Sequence, residues 1–181
     1  MKKVLIVVDY QNDFVNGSLG FEDAKKLDHG ISELMIKYAK DEDGEIFCTF
    51  DTHGTNYLET QEGKKLPVEH CIKGTWGWEL YGEVAEAEVM YPMKCTRIDK
   101  PTFGSYELAN RLSRLNKLEG VESITLVGVV TNMCVISNAV IAKAACPEAE
   151  IIIKKDLVDS FDKELHQKAL DVMASMQMTI E

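Results

Sequence analysis

The 181-residue sequence has no apolar run approaching the roughly 20 residues that cross a bilayer. It has no Cys-x-x-Cys pair. Its five cysteines (Cys48, Cys71, Cys95, Cys134 and Cys146) are odd in number and widely spaced, which argues against a disulfide scaffold. The opening segment Met1–Asp9 has the look of an export signal, but its apolar run stops after five residues at an acid and no small-residue cleavage site follows. Reduced thiols in a cytoplasmic protein are therefore expected. Positive charge is also short: 20 Lys and Arg stand against 30 Asp and Glu, a net charge of −10. Such a surface repels phosphate backbones and anionic membranes, so neither nucleic acid nor membrane is an expected partner, although a local cationic pocket stays compatible. Repeats, low-complexity segments and linkers are missing too. What is present is 45% hydrophobic residues, enough for one core, and a single domain over residues 1–181 is expected.

Apolar runs and helical spacing alternate along the chain. Val4–Val8 is a continuous β-branched run that suits a strand covered on both faces. After a Gly-bearing loop at 16–20, Leu27, Ile31, Leu34, Met35 and Tyr38 recur at helical spacing. Ile46–Phe50 reads as a strand ending at Asp51, and periodicity then fails for some 30 residues, to about Tyr81. Irregular segments of that length are often functional. Further strands are expected at Cys95–Ile98, Ile124–Val130, Ile151–Ile153 and near Met178–Ile180. Helices are expected after a Ser105 cap with Leu108, Leu112 and Leu115 on one face, from Met133 to Ala145 behind Thr131-Asn132 as cap, and through a Leu165, Ala169, Val172, Met173, Met176 face. Alternation of this kind implies an α/β fold with a mainly parallel sheet. Ligands then sit beyond the carboxyl ends of the strands. Four positions meet that description: Asp9, Asp51, Lys100 and Cys134.

Cys134 falls in the first turn of its expected helix, where the positive helix end favours thiolate and backbone N–H groups can hold an oxyanion. A cysteine taken alone is more often a small buried hydrophobe, and the other four are read that way. Asp9 follows five apolar residues, so burial should raise its pKa and suit it to accept a thiol proton. Lys100, beside Asp99, either sits in solvent or stabilises a thiolate. Convergence of the three at one sheet edge favours chemistry over the bland readings. Asp51-Thr52-His53 places two metal-ligating side chains on one side of an extended segment, and His70 follows seventeen residues after His53. Carboxylate plus imidazole suits zinc, with iron or manganese as alternatives. His29 and His166 are expected to face solvent.

The blocks Asp9-Tyr10-Gln11-Asn12-Asp13-Phe14, Asp51-Thr52-His53, Pro67–Thr75, Lys100–Ser105 and Gly128–Val135 occur in the order found in the isochorismatase-like cysteine hydrolases. The chain resembles that superfamily, and most of all its nicotinamidase branch. The resemblance implies a three-layer αβα, Rossmann-like sheet of about six strands. It implies an Asp9–Lys100–Cys134 triad and an oxyanion hole from the backbone N–H groups of Val130 and Cys134, with a cis peptide at Val129–Val130. It implies a divalent metal on Asp51, His53 and His70, a small-molecule amide substrate, and a homo-oligomer. Hydrolysis would run through a Cys134 thioester, with Asp9 carrying protons and the metal anchoring a pyridine nitrogen. Two departures stand out. The segment Gly54–Glu59 lacks the family's additional His, and Glu62, or else Glu59 or water, would complete the metal sphere; spacing to His70 favours Glu62. Pro67 stands where the family has a stacking aromatic, which leaves Phe14, Trp76, Trp78 or Phe103 to supply a ring. A metal-free relative acting on another amide or an N-carbamoyl or ureido compound, and a catalytically idle binding member, are the alternative readings.

Overall fold

A computed structural model describes residues 1–181. Six parallel strands form one sheet: β1 (Lys2–Val8), β2 (Gly44–Asp51), β3 (Cys95–Lys100), β4 (Val121–Val129), β5 (Glu150–Asp159) and β6 (Thr179–Ile180). Their order is β3-β2-β1-β4-β5-β6, so β1 is central and the order reverses between β1 and β4. The helices are α1 (Asn12–Val15), α2 (Asp28–Lys40), α3 (Gly82–Met90), α4 (Tyr106–Glu119), α5 (Ile136–Ala145) and α6 (Lys163–Ser175). Burial on both faces explains why β1 reads as an unbroken apolar run. Leu5 and Val7 join Ile31, Met35, Val84 and Ala87 of α2 and α3 in one core. Val4, Ile6 and Val8 join Leu108, Leu112, Ala139 and Met173 of α4, α5 and α6 in the other. This is the expected three-layer α/β architecture, and no helix is long and apolar enough to cross a membrane.

Local signals account for most boundaries. Ser105 caps α4, its Oγ accepting from the Leu108 N–H at 3.1 Å, and Gly120 ends that helix at φ 74°. Four expectations need correction. α3 was not evident from periodicity, because it is acid-rich and only Val84, Ala87 and Glu88 are buried. Its cap comes from a distant element: the Asp28 carboxylate accepts from the Glu83 and Val84 N–H groups. β4 begins at Val121 and ends at Val129, so Val130 lies outside the strand. β5 continues past Ile153 through Lys154-Lys155-Asp156 to Asp159; β6 pairs only with Ile152 and Ile153, so the later half of β5 lies at an edge where charged residues are tolerated. Finally, α6 buries Ala169, Leu170 and Met173, whereas Leu165 and Val172 are exposed. The helix is rotated from the face that its apolar spacing implies.

Gly128 sets the position of the chain beyond β4. Its φ is 108°, and a Cβ there would lie 2.2 Å from the Val8 carbonyl oxygen of β1. The register between β4 and β5 also shifts between Leu126 and Gly128. Gly128→Ala combines a disfavoured dihedral with a backbone clash, and is expected to cost roughly 3 kcal/mol or more. Urea unfolding measures this; a midpoint unchanged from the parent would show that the two strands do not approach as described.

Candidate active site and metal cluster

The carboxyl ends of β1, β2, β3 and β4 converge. Asp9 leaves β1 at φ 46°, a left-handed conformation uncommon outside glycine. Thr49 of β2 holds it: the Thr49 hydroxyl donates to Asp9 Oδ1 at 2.7 Å. Lys100, the last residue of β3, is fully buried, and its Nζ lies 2.6 Å from Asp9 Oδ2, 3.4 Å from Asp51 Oδ1 and 3.5 Å from Cys134 Sγ. It also donates to the Thr102 carbonyl at 3.0 Å. The three residues expected to form a triad are thus gathered around one ammonium.

Cys134 lies in a turn, Thr131–Val135, of π-helical geometry that precedes α5. The Val129–Val130 peptide is cis, and the Val130 carbonyl accepts from both the Met133 and Val135 N–H groups. Thr131 and Asn132 do not cap the helix as expected. Their side chains turn toward α6 and its approach instead: Thr131 Oγ1 lies 2.9 Å from His166 Nδ1, and the Ser160 hydroxyl donates to Asn132 Oδ1 at 2.7 Å. His166 is correspondingly half-buried rather than solvent-facing, while His29 is exposed beside Glu83. Proximity in sequence between Thr131 and Cys134 gave no sign of His166, which arrives through the tertiary fold.

Electrostatics correct a second expectation. A helix-lowered thiol does not result. Burial pushes the Cys134 thiol well above its ordinary value; Lys100 pulls it down, while Asp9 and Asp51 add to the rise. Asp9 is raised, first by burial, against the pull of Lys100 and with the help of Asp51. Burial disfavours the Lys100 charge, but Asp9, Cys134 and Asp51 more than restore it, and its pKa lies above the ordinary value.

Asp51 faces the triad with one oxygen and a second cluster with the other. Its Oδ2 lies 3.0 Å from His53 Nε2 and 3.3 Å from His70 Nε2. Glu62 Oε1 lies 3.8 Å and 3.9 Å from the same two nitrogens. One ligand atom from each of the four residues falls within 4.8 Å of every other. His70 Nδ1 sits 2.8 Å from the Val68 carbonyl oxygen. An N–H donated there leaves Nε2 as a lone pair aimed into the cluster, the usual second contact of a metal-ligating imidazole. Burial and the charge of Asp51 raise the Glu62 pKa, against the pull of His53, His70 and Lys100. Two carboxylates and two imidazoles in this arrangement fit a divalent cation. Glu62 lies in this cluster, whereas Glu59 is exposed.

Residues of the first motif, not anticipated as functional, brace these groups. Gln11 is fully buried; its Nε2 donates to the Asp51 and Trp78 carbonyls, and its Oε1 accepts from the Asp51 N–H at 2.8 Å. Asp13 Oδ2 accepts from the Cys71 N–H at 2.8 Å, fixing the chain next to His70 where Cys71 turns at φ 47°. Both groups adjoin a cavity of about 300 Å³, with Cys134, Asp51, Glu62 and His70 on its wall. Phe14, Phe103, Leu66 and Val130 supply its apolar sides. Trp76 and Trp78 do not line it: Trp76 is exposed, and Trp78 packs on Phe50 with its Nε1 donating to Thr52.

Similar proteins place this arrangement in a family. The Isochorismatase domain matches residues 3–181. The chain is 32% identical to the isochorismatase family protein PncA of Bacillus subtilis over 97% of this chain and 96% of that one. The crystal structure of a nicotinamidase/pyrazinamidase from Bacillus subtilis superposes with a TM-score of 0.87 at 27% identity, covering 99% of both chains. A pyrazinamidase of Pyrococcus horikoshii, crystallised in complex with zinc, gives a TM-score of 0.82 at 26% identity, covering 100% of this chain and 99% of its own. The strand order, the gathered carboxylate, ammonium and thiol, and the match across nearly the whole chain lead to one assignment: the protein belongs to the isochorismatase family.

Proposed function

We propose that this protein is a metal-containing cysteine amidohydrolase that converts nicotinamide and water to nicotinate and ammonia, serving NAD salvage. The observation carrying the reading is that one apolar cavity has on its wall both the Cys134 thiol, backed by Asp9 and Lys100, and three members of the Asp51, His53, Glu62, His70 cluster, namely Asp51, Glu62 and His70. Relatives named as nicotinamidases support it. Apolar walls with two phenylalanines suit a flat aromatic ring better than a ureido acid.

In this reading Asp9 takes the Cys134 proton as the sulfur attacks the carboxamide carbon. The N–H groups of Val130 and Cys134 receive the oxyanion. Asp9 then returns the proton to nitrogen, the C–N bond breaks, and ammonia leaves a thioester. Water, losing a proton to Asp9, adds to the thioester carbonyl; the C–S bond breaks, Asp9 returns that proton to the sulfur, and the carboxylic acid leaves with Cys134 restored as a thiol and Asp9 as a carboxylate. Lys100 offsets negative charge on Asp9 and sulfur throughout. Asp51, His53, Glu62 and His70 would hold the ion, with zinc the first candidate and iron or manganese the alternatives. When bound, it supplies a coordination position for a pyridine nitrogen. Phe14 and Phe103 would flank the ring.

Ammonia release from nicotinamide, measured with bound metal on the same sample, tests the whole reading. Turnover is expected, and Cys134→Ala should reduce it roughly 10⁴-fold or more. Retained turnover in that variant would remove the thiol from the mechanism. Asp9→Asn separates base from environment. It removes a negative charge that raises the thiol, so iodoacetamide should alkylate Cys134 faster at neutral pH while turnover falls roughly 10²–10⁴-fold. Slower alkylation would contradict the electrostatic assignment. Glu62→Gln should weaken zinc retention during dialysis against a chelator by about tenfold or more; retention equal to the parent would exclude Glu62 from the sphere.

A further inference from the structure

Asn138 lies fully buried in α5, among apolar neighbours such as Val135, Ala139 and Ala142. A polar side chain at such a position is costly unless it is bonded. Here the amide uses its full reach. Nδ2 donates to the Cys134 carbonyl at 2.8 Å, one turn back, and to the Phe103 carbonyl at 3.0 Å. Oδ1 accepts from the Ser105 N–H at 3.1 Å. One side chain thus joins the turn that carries the thiol to the segment that carries Phe103.

Between the end of β3 and the Ser105 cap of α4, few bonds hold that segment. Residues 101–103 are exposed and irregular, and Phe103 is 45% exposed although it lines the cavity. Apart from the Lys100 contact to Thr102, its anchor is α5. Gly104 lies so close that a Cβ there would come within 2.7 Å of Ile141 Cδ1. We propose that Asn138 is a positioning residue that fixes the Phe103 wall relative to the Cys134 turn and so sets the width of the slot for a flat aromatic amide. The substrate half of this statement rests on the amidase reading above; the geometric half does not.

Asn138→Ser divides the three contacts. A serine hydroxyl in a helix can bond the carbonyl four residues back, which keeps the link to Cys134, but it is too short to reach Phe103 or Ser105. Asn138→Leu keeps the volume and none of the bonds. For Asn138→Ser we expect KM for nicotinamide to rise about fivefold or more with kcat within about twofold of the parent. In a Phe103→Ala background the same substitution should add little further change, since the wall it holds is gone. Asn138→Leu should raise KM similarly and also lower kcat. Parent KM in both variants, or an additive effect in the Phe103→Ala background, would overturn the proposal. So would losses that merely follow the folded fraction by circular dichroism.

Alkylation separates failure of this proposal from failure of the amidase reading. Cys134 labelling by N-ethylmaleimide, which is bulkier than iodoacetamide, is read by mass spectrometry. If the slot widens, the ratio of maleimide to iodoacetamide rates rises at least about threefold in Asn138→Ser. An unchanged ratio rejects the clamp whether or not nicotinamide is turned over. A raised ratio in a protein whose parent does not hydrolyse nicotinamide keeps the clamp and rejects the substrate.

Discussion

Most of the centre depends on one buried ammonium. A lysine charge removed from water costs several kcal/mol unless partners meet it. Lys100 is met by Asp9 at 2.6 Å, the Thr102 carbonyl at 3.0 Å and Asp51 at 3.4 Å. These partners come from the ends of β1 and β2 and from the chain just after β3. The arrangement requires Asp51 to stand opposite Lys100 in the parallel β2–β3 pair, and Thr49 to stand opposite Val8 in the β1–β2 pair. A slip of one residue would turn Lys100 to the other face of the sheet and leave the two carboxylates without it. The register is therefore under two constraints that agree: apolar packing on both faces, and neutralisation at the strand ends.

Asp51 makes the thiol centre and the cation cluster a single electrostatic unit. One oxygen faces Lys100, and the other faces His53 and His70. Such a carboxylate cannot move toward one group without loosening the other, and Gln11 removes the freedom to try by bonding both the N–H and the carbonyl of Asp51. The first motif is thus more than the residue that follows β1. Asp9 enters the thiol centre, Gln11 braces the next strand end, and Asp13 braces the His70 loop. Three residues at alternate positions serve three different segments.

How much of this was legible in the sequence depended on distance along the chain. Asp9, Asp51 and Lys100 were visible because each ends or follows a strand run, and strand ends in a parallel sheet meet at one edge. Glu62 came into view only through the family resemblance, as one choice beside Glu59 and water, and spacing to His70 did no more than favour it. Features built by tertiary contact were not visible. α3 is capped by Asp28, more than fifty residues earlier. His166 is drawn inward by Thr131 on another element. The thiol was expected to be acidified by a helix start. The chain instead forms a π-turn there, and burial raises the thiol.

Asp9 shows why burial and pairing have to be weighed together. An ammonium at 2.6 Å would by itself make a carboxylate a poorer base. Complete burial and the nearby charge of Asp51 act in the opposite direction, and the net result is a carboxyl raised above its ordinary value. Burial acts on both partners of the proposed proton transfer, since the Cys134 thiol is raised by it as well. Lys100 pulls the carboxyl and the thiol down together, and so keeps a negative charge on either from being stranded in the interior. Asp9 without Lys100 would be a buried, uncompensated anion, and Lys100 without Asp9 a buried, uncompensated cation. Fixing both on strand ends holds that balance in place while the substrate changes, since a parallel sheet packed on both faces has little freedom to relax either one.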